Sequence, residues 1–109
     1  MILYGLSTCV VCKRAQKEIE NAGKDVQFRD IRAEPLSESE LEALIVEYGD
    51  RLVDRKSPDW RGLSDWLKHS EADAQISAQP KLMVRPVIQD GDKYYLGWDD
   101  AVRSDLLGG

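Results

Sequence analysis

The stretch MILYGLSTCVVCKRAQKEIENAG, residues 1–23, decides the fold of this chain. Residues 1–6 form a short apolar run with β-branched and aromatic members, which is typical of a buried strand. From Cys9 to Ala22 the apolar residues recur on one helical face, and Gly23 then predicts the end of the helix. Residues 26–31 alternate between apolar and polar, which is the period of a strand. The order strand–helix–strand predicts a parallel, right-handed βαβ unit.

The two cysteines of the chain, Cys9 and Cys12, lie where this helix should begin. Ser7 and Thr8 come just before them, and both are good residues for a turn and a helix N-cap. The first turn of a helix lowers the pKa of a thiol, because unpaired N–H groups and the helix dipole favour the thiolate. Cys12 lies one turn further on the same side, so it can displace a substrate that Cys9 has attacked. A Cys-x-x-Cys motif beside a βαβ pattern therefore predicts a thioredoxin-like redox pair.

Two other interpretations of the cysteines stay open. A structural zinc site needs four ligands, and the chain adds only His69, far away in the sequence, so two chains would have to share their cysteine pairs. Alternatively, both thiols are small buried apolar residues, as free cysteines often are. Their position at the exposed end of a helix argues against that interpretation. His69 lies in a polar helix end and is expected to be solvated, so no metal site is predicted.

Residues 37–79 are predicted to form a helical insert. Ser37 and Glu40 fit a capping box at the start of a second helix, and short helical patterns rich in charge follow it. Trp60 and Trp66 are expected to pack the insert onto a core, because large aromatic side chains are costly to leave in water.

The last part of the chain predicts a hairpin and a helix. Two apolar runs flank Asp90-Gly91, which is a hairpin signal, and Asp99-Asp100 are acids well placed to start a last helix. The chain, residues 1–109, is therefore predicted to form one α/β domain with the three layers of an α+β fold. It has a mixed four-stranded sheet with a parallel first half, as thioredoxin-like domains have. Pro86 stands at the entry to a strand, and the residues alone leave a cis bond and a trans edge-strand proline equally open.

Charge and hydropathy exclude several classes of function. The net charge of −5 argues against direct binding of nucleic acid, which needs a basic surface. No apolar run approaches the roughly 18 residues of a membrane span, and no basic and apolar leader precedes the first strand. A cytoplasmic protein is therefore expected, in a compartment where thiols are kept reduced. Nothing in the sequence indicates an oligomer, so a monomer is expected.

Five motifs stand in order along nearly the whole chain: Ile2-Leu3-Tyr4-Gly5 before Cys9, Glu34-Pro35-Leu36, Asp54-Arg55-Lys56, Trp60-Arg61-Gly62-Leu63, and the run from Pro80 to Ile88 followed by Leu96-Gly97-Trp98. In this order and at these spacings they resemble the arsenate reductase-like family of thioredoxin-fold proteins, the ArsC, Spx and YffB group. The resemblance implies a thioredoxin-like fold with a helical insert between the second strand and the Arg85-Pro86 strand.

The resemblance also implies roles for single residues. Cys9 is the nucleophile, and Arg85-Pro86 is a cis bond beside it. Arg55 and Arg85 face Cys9, where two guanidinium groups can stabilise a thiolate and hold an oxyanion or the carboxylates of glutathione. Thr8 joins the two arginines as a candidate for binding that ligand. Glutathione is thus the expected co-substrate, and no bound cofactor is expected.

Departures from the family pattern separate its branches. Arsenate reductases of the family carry a single catalytic cysteine and a third arginine late in the chain, where this sequence reads Leu96-Gly97-Trp98. Spx-type members share Cys-x-x-Cys as a redox switch and bind the RNA polymerase α subunit. The insert and Gly97-Trp98 are most similar to YffB-type members, which are regarded as glutathione-dependent thiol reductases. The expected function is a glutathione-linked thiol–disulfide oxidoreductase, in which Cys9 attacks and Cys12 resolves. An Spx-like redox-sensing regulator and an arsenate reductase are the alternatives.

Overall fold

The computed structural model describes residues 1–108, which form two compact units. The first unit joins Met1–Glu34 to the segment from Arg85 onward, and the second is Pro35–Val84. The predicted helical insert, residues 37–79, lies wholly within the second unit. That both units form one domain stays a prediction.

The first unit is built on a mixed four-stranded sheet in the order β2-β1-β3-β4. Strand β1 pairs in parallel with β2 and antiparallel with β3, and β3 pairs antiparallel with β4. The parallel βαβ opening and the hairpin are therefore both confirmed. Gly91 turns the hairpin at a φ of 61°, a left-handed conformation that glycine adopts without steric cost. The strands are β1 Ile2–Gly5, β2 Gln27–Asp30, β3 Val87–Asp90 and β4 Lys93–Leu96.

Helix α1, Val10–Asn21, and helix α6, Asp100–Leu106, cover one face of this sheet. Asp99 caps α6 by accepting a hydrogen bond from the N–H of Val102 at 2.9 Å, as the acidic start of that helix predicts. Gly23, at a φ of 81°, follows the end of α1. The buried core between sheet and helices consists of Leu3, Cys12, Ala15, Ile19, Ile88, Tyr95 and Leu106.

The second unit is helical, as the sequence predicts. Its longest helix, α2, begins with the predicted capping box: the Ser37 hydroxyl accepts from the N–H of Glu40 at 3.1 Å, and the Glu40 carboxylate accepts from the N–H of Ser37 at 2.8 Å. An isolated bridge joins Val53 to Met83. The helices are α2 Glu38–Tyr48, α3 Pro58–Arg61, α4 Asp65–Lys68 and α5 Ala72–Ala78, with 3₁₀ turns at Gly49–Leu52 and Pro80–Leu82.

The expected packing of Trp66 is wrong, because its side chain is 74% exposed. Helix α4 has only four residues, and it is held by polar contacts instead of a buried ring. The amide of buried Gln75 donates to the carbonyls of Leu67 at 2.9 Å and Ser70 at 3.0 Å. Trp60 is half-buried. His69, which caps the end of α4, is exposed as predicted. Within residues 1–108, no helix has the length and apolar character needed to cross a bilayer.

Candidate functional site

Cys9 is the N-cap of α1, so the thiol itself begins the helix. Its Sγ accepts a hydrogen bond from the N–H of Cys12 at 3.4 Å, in the place where a serine or aspartate oxygen usually stands. The expectation that Ser7 or Thr8 would cap the helix is wrong, since both lie exposed in the preceding turn. Cys9 is half-exposed at a helix N-terminus, which is the position that the motif predicts.

Cys12 is fully buried in the core of the first unit. Gly5, at the end of β1, makes this position possible: a Cβ there would lie 2.6 Å from the Sγ of Cys12. The interpretation of both cysteines as buried apolar residues therefore describes Cys12 correctly and Cys9 incorrectly. A disulfide in solvent meets Cys9 first.

The environment moves the pKa values of the two thiols in opposite directions. Partial burial opposes the Cys9 thiolate, but hydrogen bonds from the Cys12 thiol and N–H, together with the hydrogen bond and positive charge of Arg85, place the pKa of Cys9 below its usual range. Burial, the hydrogen bond to Cys9 and the negative charge of Cys9 raise the pKa of Cys12 to about 12. At neutral pH, Cys9 is thus the thiol that more readily forms a thiolate.

Arg85 and Pro86 stand beside this pair, at the entry to β3. Their peptide bond is cis, as the family resemblance implies. The guanidinium of Arg85 acts directly on the sulfur of Cys9. The carbonyl of Pro86 accepts a hydrogen bond from the N–H of Gly97 at 2.8 Å, which ties this entry to the segment after β4.

Arg55 belongs to the second unit, where its guanidinium lies 5.5 Å from the centre of the Trp60 ring. That Arg55 faces Cys9 stays a prediction. Thr8 is exposed one residue before Cys9, and its role in binding a ligand also stays a prediction.

Replacement of Arg85 by methionine is expected to raise the pKa of Cys9, because it removes a hydrogen bond and a positive charge from the thiolate while keeping an apolar stem. The rate of Cys9 alkylation by iodoacetamide, measured against pH, should therefore shift its midpoint upward. Arg32→Met is the matched control, since the Arg32 side chain is exposed and belongs to the same unit. Equal midpoints in the two variants would contradict the contact between Arg85 and Cys9.

Asp30, at the end of β2, holds the cysteine loop and was not predicted from the sequence. Its carboxylate accepts from the N–H of Ser7 at 2.9 Å, and from those of Arg32 at 2.8 Å and Ala33 at 3.2 Å. These hydrogen bonds, with one from the Ser7 hydroxyl, hold the pKa of Asp30 well below its usual range. An aspartate that closes a strand is a local turn signal. The bond to Ser7, however, spans 23 residues and has no such signal.

Glu18 fixes the orientation of α1, the helix that carries both cysteines. Its carboxylate accepts hydrogen bonds from the indole N–H of Trp98 and from Arg103, whose Nη2 lies 2.8 Å away. The bonds from Arg103 and Trp98 lower the pKa of Glu18. The Gly97-Trp98 motif therefore contributes a contact that joins α1 to the segment leading into α6.

Comparisons with known proteins identify relatives of the whole chain. The Spx global transcriptional regulator of Listeria innocua is 28% identical over 111 residues, which are 95% of this chain and 85% of that one. A solved structure of the YFFB protein matches 97% of both chains at a TM-score of 0.84 and 23% identity. A solved arsenate reductase from Vibrio cholerae matches 98% of this chain and 94% of its own at a TM-score of 0.73 and 19% identity. The two solved structures show the thioredoxin-like fold. The model of the ArsC family matches residues 4–104, and the chain therefore belongs to the ArsC family.

Proposed function

We propose that this protein is a thiol–disulfide oxidoreductase in which Cys9 is the nucleophile and Cys12 is the resolving thiol. The position of Cys9, half-exposed at the N-terminus of α1 with Cys12 buried one turn away, carries this proposal. A half-exposed thiol with a lowered pKa suits attack on a substrate. A buried thiol with its pKa raised to about 12 stays protonated and suits a second step, which follows the reaction of Cys9.

The first step bonds one half of the substrate disulfide to Cys9. The Cys9 thiolate attacks one sulfur of a substrate disulfide, a bond forms between the two sulfurs, and the other substrate sulfur leaves as a thiolate that takes up a proton. Cys9 then carries no negative charge. Because that charge and its hydrogen bond help to raise the pKa of Cys12, the first step itself makes Cys12 easier to deprotonate.

The second step releases the reduced substrate. Cys12 loses its proton and attacks the Sγ of Cys9, so that an internal disulfide forms and the bound substrate leaves as a thiol. The substrate gains two electrons and the protein loses two. Two molecules of a reducing thiol then restore Cys9 and Cys12 and leave joined as a disulfide, and we propose glutathione for that role. Arg85, with Arg55 and Thr8, would bind the carboxylates of glutathione. The proposed enzyme acts as a monomer in the cytoplasm.

A redox titration tests this function. The protein is equilibrated in glutathione buffers of graded potential, quenched by alkylation and weighed by mass spectrometry. We expect one two-electron step at roughly −200 to −270 mV, the range of cytosolic thiol–disulfide couples. If Cys9 instead takes up one glutathione and no internal disulfide forms, Cys12 is not the resolving thiol. If neither cysteine responds, the proposed function is wrong.

The similarity to Spx favours a second candidate, a redox-sensing regulator that binds the RNA polymerase α subunit. In the second unit, α2 and α5 line a groove of about 640 Å³ that combines apolar side chains with Glu38, Glu42 and Asp73. Such a groove suits a basic protein partner. Binding of purified α subunit that differs between the dithiol and disulfide forms would favour the regulator, and turnover of disulfides without such binding would favour the enzyme.

A further inference from the structure

Two valines next to Cys9 expose apolar surface at the candidate site. Val10 is 72% exposed and Val11 is 39% exposed, and both belong to the first turn of α1. That turn contains no acidic residue, although acids there would stabilise the helix through its dipole. β-Branched residues are also weaker helix formers than most. The residues of this turn favour neither helix stability nor solvent exposure. Such a departure from the usual residue preferences of a helix is typical of functional surfaces.

The surface beyond the valines is positively charged. Lys13 and Arg14 follow them, and both are exposed. Asp30, which holds the cysteine loop, and Glu18, further along α1, already accept hydrogen bonds from other groups. Although the whole chain has a net charge of −5, the surface around Cys9 combines apolar and cationic side chains.

We propose that the disulfide reduced by Cys9 belongs to a protein, and that its attacked cysteine is flanked by apolar and acidic side chains. This inference rests on the proposed function and names its substrate class. Glutathione has two carboxylates for the cationic groups but no apolar side chain for Val10 and Val11. In a peptide substrate, a leucine beside the cysteine can cover both valines. An acidic residue next to that leucine can reach Lys13 or Arg14.

The size of the apolar contribution can be bounded from the area involved. Covering about 60 Å² of the two valines is worth roughly a tenfold gain in rate or affinity at 25 cal/mol per Å². The covalent step is unchanged: a bond forms between Cys9 and the substrate cysteine, and the leaving thiol carries away the electron pair and takes up a proton. Only the encounter that precedes this step differs between substrates.

Two synthetic pentapeptides test the inference. Acetyl-Glu-Leu-Cys-Leu-Glu-amide and acetyl-Lys-Ser-Cys-Ser-Lys-amide are each activated as the mixed disulfide with thionitrobenzoate. The reaction is followed in the Cys12→Ser variant, so that the mixed disulfide on Cys9 persists. Release of the coloured thionitrobenzoate gives the rate constant, and mass spectrometry identifies the peptide bound to Cys9. We expect the first peptide to react about tenfold faster than the second. Each rate is divided by the rate of the same peptide with free glutathione, so that differences in the intrinsic reactivity of the peptides cancel. Changes in the intrinsic reactivity of Cys9 cancel because both rates are measured on the same protein.

Matched variants identify the surface. The double change of Val10→Ser with Val11→Ser should lower the ratio by most of the apolar tenfold, and Lys13→Glu should lower it by selecting against the acidic peptide. Val46→Ser is the control, because Val46 is 81% exposed on α2 and should leave the ratio unchanged. Equal rates for the two peptides, or a ratio that survives the double change, would overturn the substrate class while the oxidoreductase function stands. If Cys9 reacts with neither peptide nor with bis(2-hydroxyethyl) disulfide, the proposed function fails as well.

Discussion

Replacement of Cys9 by serine is expected to lower the turnover of a small disulfide by about a thousandfold or more, which is the usual consequence of removing a nucleophile. A serine hydroxyl stays protonated at neutral pH and does not attack sulfur, whereas the lowered pKa of Cys9 supplies a thiolate. Turnover is measured with bis(2-hydroxyethyl) disulfide, and glutathione oxidation is followed through glutathione reductase and NADPH. The serine still accepts the N–H bond that caps α1, so the fold should survive.

Cys12→Ser is the matched variant, because it changes one atom of the same motif. This variant keeps the first step and loses the second, so a mixed disulfide on Cys9 should accumulate and be visible by mass. Loss of the first step in Cys12→Ser, or turnover retained in Cys9→Ser, would contradict the roles assigned to the two thiols. Turnover that survives Cys12→Ser would mean that glutathione itself resolves the mixed disulfide. Arsenate reduction by this variant would support the alternative of an arsenate reductase.

The elements that could be predicted from the sequence are those whose signals are local. The alternation of residues 26–31, the capping box of Ser37 and Glu40, and the turn at Asp90-Gly91 each lie within a few residues of the structure they form. The cis bond at Arg85-Pro86 was indicated by resemblance and not by residue spacing. The N-cap of α1 was misassigned because cap preferences favour oxygen acceptors, and Cys9 performs that role with sulfur.

The rest of the site depends on contacts between distant segments. Glu18 meets Trp98 across 80 residues, and Asp30 meets Ser7 across 23. No periodicity or turn signal reports such a pair, although the residue types are visible. The pKa of Cys12 is equally hidden, because its largest cause is burial, which the Cys-x-x-Cys spacing does not specify. Spacing alone therefore predicts that two thiols are close, and the core around them decides which one attacks.

Gly5→Ala is expected to destabilise the protein by about 1–3 kcal/mol, the usual cost of overpacking a core. The added Cβ would lie 2.6 Å from the Sγ and 3.1 Å from the Cβ of Cys12, and 3.2 Å from Cδ2 of Leu3, so the side chain of Cys12 must move. Urea unfolding gives the free energy of unfolding. Gly62→Ala is the control, since the nearest atom to a Cβ there is 3.8 Å away.

The clash can be assigned to the thiol of Cys12 by a double-mutant cycle. Cys12→Ala removes the nearest atom, so the double variant with Gly5→Ala should be more stable than the sum of the single changes predicts, by about 1 kcal/mol. Strict additivity would contradict the position of Cys12 against β1.

A displaced Cys12 also has to reach Cys9 from a different position. In Gly5→Ala, the mixed disulfide on Cys9 should therefore persist longer than in the unchanged protein, and its lifetime should change by a larger factor than its rate of formation. Because Gly5 contacts no substrate in this scheme, such a split between the two steps would show that the glycine at the end of β1 positions the resolving thiol.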